Sequence, residues 1–88
     1  MDTTKKFKLY TTLMLCPPNV VLYECITGLE RFSWKHENIY VRVYHSIDMN
    51  SYWLRVMDKH NRPIMQTYGW PARVIYNNAR SANIVQGR

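Results

Sequence analysis

The chain has 88 residues, which holds one domain with one hydrophobic core and little stability to spare. Apolar residues make up 47%, charged residues 20%, and there are only three glycines and four prolines, so a disordered, collagenous or low-complexity polymer is excluded. The net charge of +6 is unevenly placed: every acid lies at or before Asp58, and residues 59–88 carry Lys59, Arg62, Arg73, Arg80 and Arg88 against no carboxylate. A positive field over the C-terminal third fits a polyanionic partner, either nucleic acid or an acidic protein surface.

Taken in chain order, residues 1–5 are a polar start, expected to be flexible. From Lys6 to Cys16, Phe7, Leu9, Thr11, Leu13 and Leu15 alternate onto one face, which predicts a long β-strand. Pro17-Pro18-Asn19 breaks it. Val20 to Thr27 is apolar on both sides and reads as a second, deeply buried strand ended by Gly28. Gly28 to Asn38 carries no clear period. Ile39 to His45 alternates again, with Ile39, Val41 and Val43 inward and Tyr40, Arg42 and Tyr44 outward. After a turn at Asp48–Ser51, Tyr52 to Met57 places Leu54 and Val56 on one face and Trp53, Arg55 and Met57 on the other. His60-Asn61 marks the next turn, and Ile64 to Tyr68 closes a hairpin.

Beyond Gly69 the period changes. Ala72, Ile75, Ala79, Ala82 and Val85 recur at spacings of three and four, which predicts an amphipathic helix over residues 71–86. Arg73, Asn77, Arg80 and Ile84 fall on another face. Pro71 suits the first turn and Gly87 the position past the end, whereas Trp70 is a poor N-cap. A short strand at Arg73–Tyr76, stopped by Asn77-Asn78, is the competing all-β arrangement. The expected fold is α+β over a single domain, residues 1–88. It is a mostly antiparallel five-stranded sheet of consecutive hairpins, with the helix on one face and the other face left to water or a partner.

Cys16 and Cys25 fall about 16 Å apart in the expected first hairpin, too far for a disulfide. They read as free thiols filling the core of an intracellular protein, cytoplasmic or in a host cytoplasm. Lys5, Lys6 and Lys8 ahead of Leu9–Cys16 imitate a signal peptide, but Tyr10, Thr11 and Thr12 interrupt the apolar stretch and no small-residue cleavage site follows. No run approaches the ~18 consecutive apolar residues of a membrane span, so no membrane association is expected.

The sharpest constellation is the outer face of the third and fourth expected strands. A two-residue turn at Asp48-Met49 sets Tyr44 against Trp53 and Arg42 against Arg55. A four-residue turn at Asp48–Ser51 sets Tyr44 against Arg55 and Arg42 against Met57. The first arrangement opposes two like charges, which is unfavourable without an anion between them. Either way guanidinium groups and aromatic planes interleave, a surface suited to stacking bases and neutralising phosphates. Phe32 and Trp34 offer a competing role for that face, as a lid packed from Gly28–Asn38. Arg73 and Arg80, seven residues apart, form a second basic ridge on the expected helix.

Catalysis and metal binding find no pattern to rest on. His36, His45, His60 and the cysteines show none of the spacings of a zinc site. The carboxylates are scattered, no glycine loop cradles phosphate, and a Cys25–His45 pair would place its thiol in the most apolar strand, where burial makes it inert. We therefore expect no enzyme, no metal and no cofactor. The expected function is nucleic-acid binding through Tyr40, Arg42, Tyr44, Trp53 and Arg55, with Arg73 and Arg80 as the basic addition. The alternative is a small inhibitor or accessory protein of the kind viruses and mobile elements encode, held to a protein partner by its Trp, Tyr, Met and Arg content. An exposed edge strand also offers a route to a homodimer.

Overall fold

A computed structural model describes residues 3–15, 18 and 21–85. The elements run α1 (Thr3–Leu15), β1 (Leu22–Ile26), β2 (Leu29–His36), β3 (Ile39–Ser46), β4 (Ser51–Met57), β5 (Pro63–Tyr68) and α2 (Trp70–Val85). The five strands form one antiparallel sheet in the spatial order β1-β2-β3-β4-β5, so each pairs only with its neighbours in sequence. The α+β class, the antiparallel meander and the C-terminal helix are as the sequence predicts. Two of the assignments beneath them are not.

The stretch expected as the first strand is helix α1, which begins at Thr3 where a flexible start was expected. Leu9 and Leu13 satisfy a period of two and equally the four-residue step of a helix, and here the helix prevails. Leu13 is buried and Leu9 and Met14 pack against the core, while Phe7 and Leu15, needed on the inner face of the strand, stand exposed. Thr11 and Thr12 fit the helix by donating their hydroxyls to the carbonyls of Phe7 and Lys8, 2.8 and 2.9 Å away. The side chain of Asn78 in α2 donates to the carbonyls of Leu13 and Met14, satisfying acceptors that a helix end leaves open. Cys16, Pro17 and Asn19 of the expected turn lie outside the described residues.

The missing strand is β2, in the segment without a clear period. It alternates after all: Phe32 and Trp34 are buried on one side, with Arg31, Ser33 and Lys35 on the other. Thr27 and Gly28 make the preceding turn with φ of 47° and 80°. Gly28 suits this left-handed backbone, and a Cβ there would also meet an Asp48 carboxylate oxygen at 3.1 Å. The following turn sets Glu37 at φ 56°. Strand β1 corrects a second expectation. It is a largely exposed edge strand rather than a buried one, with Leu22 and Ile26 open to solvent. An apolar run carries the same pattern in either place. Cys25 is accordingly an exposed free thiol and not a core filler.

Helix α2 lies across the sheet's core face, in contact with β2, β3, β4 and β5. Val41, Val43, Leu54 and Val56 are fully buried beneath Ala72, Ile75 and Ala79, with Phe32, Trp34 and Met65 around them. Gly69 takes the capping position for which Trp70 was unsuited: its carbonyl accepts the first helical hydrogen bond, from Arg73 N at 3.1 Å. Tyr76 joins the buried side of the helix, a contact the three-and-four spacing did not include. The side chains of Ile84 and Val85 lie outside those described. Helix α1 packs on α2, and among the described residues no helix is seen to pack on the sheet's second face.

Candidate functional site

The open face is built by cross-strand rows. One row runs Glu24, Arg31, Tyr44, Trp53, Tyr68 from β1 to β5, and the next runs Leu22, Ser33, Arg42, Arg55, Gln66. The register is therefore the one that opposes Arg42 to Arg55 and Tyr44 to Trp53. The turn at residues 47–50 keeps it, with Ser46 paired to Ser51. Tyr44 and Trp53 stack with centroids 5.0 Å apart and planes 10° from parallel. Tyr40 is exposed opposite Met57, which is buried beside the bulge at Val56/Met57. Phe32 and Trp34 are buried in the core on the other side, so the segment from Gly28 to Asn38 extends this face as a strand and does not roof it.

The face is electrically one-sided. Arg31, Lys35, Arg42 and Arg55 project from it, and its one carboxylate in the paired rows, Glu24, is taken up by Arg31. The Glu24 contact raises the Arg31 pKa above its ordinary value. Among the described residues neither Arg42 nor Arg55 has a carboxylate partner, and the Nε of Arg55 is buried with no hydrogen-bond acceptor. Two half-buried arginines are thus cross-strand partners, and among the described residues neither has a carboxylate to neutralise it.

Arg73 and Arg80 do not join this site. They are exposed on α2, on the other side of the sheet, where Arg73 lies over the Tyr52 ring with its guanidinium carbon 5.9 Å from the centroid. The sequence-predicted residues therefore divide into an open-face group, Tyr40, Arg42, Tyr44, Trp53 and Arg55, and a separate helix pair.

Sequence reasoning missed a polar cluster under that helix pair. Glu30 accepts hydrogen bonds from Tyr76 at 2.7 Å, His45 Nδ1 at 2.9 Å and Tyr23 at 3.1 Å. Burial pushes the Glu30 carboxyl up, but these donors outweigh it and hold it below the usual carboxylate range. Burial, and then the Glu30 charge, raise the Tyr76 pKa; Tyr23 is pushed up to about 12 by burial, by a hydrogen bond with Cys25 and by Glu30. His45 stacks on Tyr52 at 4.3 Å, and its Nε2 is buried without a partner. The cluster ties α2 to the sheet through the hydrogen bond from Tyr76 to Glu30. Its signal in the sequence is faint, because Glu30 lies in the segment without a readable period and 46 residues from Tyr76. Cys25 and His45 are two strands apart, with Glu30 between them.

Among the described residues no three His, Cys, Asp or Glu side chains are placed to hold a metal ion, and no helix is long and apolar enough to cross a membrane. No protein-family model matches the chain, and neither a curated protein nor a solved structure is significantly similar to it.

Proposed function

We propose that this protein binds nucleic acid, without catalysing a reaction on it, through the open face of its sheet. The observation that carries this reading is the opposition of Arg42 and Arg55 beside the Tyr44–Trp53 stack. Like charges directly opposite across two strands destabilise a sheet, and a buried donor without an acceptor adds to that cost. A phosphate between the two guanidinium groups removes both penalties, and planar guanidinium is well suited to grip its oxygens. Lys35 on the same face extends the positive field.

The test is fluorescence anisotropy of a labelled oligonucleotide over a range of salt. Binding should weaken linearly in log–log form with salt. Arg42→Ala and Arg55→Ala should each lower affinity and flatten the slope by up to about 0.9, the contribution of one phosphate. Arg73→Ala with Arg80→Ala should leave the binding unchanged, because that pair lies on the other side of the sheet. Absence of binding to every nucleic acid at low salt overturns the reading. A protein partner that survives nuclease treatment and is lost on Arg42→Ala then makes the chain a protein-binding accessory factor.

A further inference from the structure

We infer that the open face takes single-stranded nucleic acid in preference to duplex, with one unpaired base stacked on the free face of Trp53 and its phosphate held between Arg42 and Arg55. This inference rests on the nucleic-acid reading and narrows it.

Three observations lead to it. The first is the width of the surface. Five strands about 4.8 Å apart make a face about 19 Å across, whereas the major groove of a DNA duplex is about 12 Å wide. A two-stranded ribbon enters that groove, but the interior rows of a five-stranded sheet do not. A duplex laid on this face presents only phosphates, and its bases stay stacked on one another.

The second is the state of the aromatic rings. Tyr44 is engaged, stacked on Trp53 with the two planes 10° from parallel. Trp53 uses one face of its indole against Tyr44, and among the described residues no ring covers the other. Its neighbour on the outer side is Tyr68, whose hydroxyl donates to Gln66 at 3.0 Å and so lies along β5. The half-buried Trp53 is therefore backed by Tyr44 on one face, and on the side toward β5 no described ring competes with a base for the other.

The third is spacing. The aromatic row and the arginine row are two residues apart along the strands, about 6.7 Å, a separation that the sugar of one nucleotide bridges between its base and its phosphate. Base and phosphate are thus met by adjacent rows of one face. A duplex satisfies the arginine row alone, while a single strand satisfies both.

The experiment compares four ligands of equal length at one low salt concentration: oligothymidylate, oligouridylate, a DNA duplex, and an abasic phosphodiester chain. The two single strands should bind at least about tenfold more tightly than the duplex and the abasic chain, since stacking one base on an aromatic ring is worth roughly that or more. Trp53→Leu, which keeps apolar bulk in the row, should remove about tenfold to hundredfold of the single-strand affinity and leave abasic binding unchanged. Equal affinity for all four ligands overturns the single-strand inference while the nucleic-acid reading stands. Binding to none of them overturns both. The comparison among ligands needs only the unaltered protein, so it decides the matter even if Trp53→Leu fails to fold.

Discussion

Replacing Arg42 by methionine should make the free protein more stable and the bound one weaker. Methionine keeps the apolar stem of the side chain over the sheet and removes the charge opposite Arg55. An unfavourable cross-strand charge pair is worth about 0.2–1 kcal/mol, so relieving it should stabilise the fold by up to about 1 kcal/mol. For a domain of this length that raises the melting temperature by about 4–8 °C. The gain is electrostatic and should shrink toward zero in ~1 M salt, where the screening length falls to about 3 Å. Arg55→Met should behave alike, and the double variant should gain little beyond either single one, because the repulsion is removed once. Thermal melts at low and high salt, run beside oligonucleotide titrations, read both quantities on the same samples. A melting temperature that falls on Arg42→Met by the same amount at every salt, with binding intact, would refute the reasoning. The two guanidinium groups would then be holding the sheet together and not waiting for an anion.

Tyr76→Phe removes one of three donors to Glu30 and should cost about 1–2 kcal/mol, less than the largest charge-assisted bonds because His45 and Tyr23 remain. The Glu30 carboxyl is held below its ordinary value, so the stability it contributes is present above that value and lost as pH falls through the lower folded one. Tyr76→Phe should move this acid limb of a stability–pH curve to higher pH, and an unmoved limb would contradict the cluster's role. Ala79→Asp, at a fully buried position of α2, should destabilise by several kcal/mol in a denaturant melt, whereas Asn77→Asp on the exposed side should change stability by less than about 0.5 kcal/mol.

The sheet was legible wherever one face is buried and the other wet. In β3 and β4 the inward residues Val41, Val43, Leu54 and Val56 alternate with Arg42, Tyr44, Trp53 and Arg55, and period two is then unambiguous. In β2 the buried residues are aromatic, and a carboxylate, Glu30, sits on the inner side, so hydropathy alone hides the alternation. Across α1, leucines at positions 9 and 13 fit two periods at once, and only the burial of Leu13 together with the exposure of Phe7 separates them. Two turns are compatible with the alternation of β3 and β4, and pair energies favour the register that avoids opposing arginines. The chain adopts the other, and the discrepancy marks the candidate site. The Glu30 cluster joins residues brought together by strand pairing and by the docking of α2, and no local pattern encodes such a meeting.

The order of elements has a consequence for synthesis of the chain. Each strand pairs with the one made just before it, so the meander can assemble progressively as it leaves the ribosome, with only short loops to close. Its inner face has no cover until α2 follows. Val41, Val43, Leu54 and Val56 therefore remain open to water, and to other nascent chains, through the interval in which residues 70–85 are still inside the exit tunnel. Helix α1, the first element made, waits longest, because its described polar anchor is Asn78. A stop or pause before α2 thus releases a sheet with two exposed faces, one charged and one greasy, and the second is a surface for chaperones to hold.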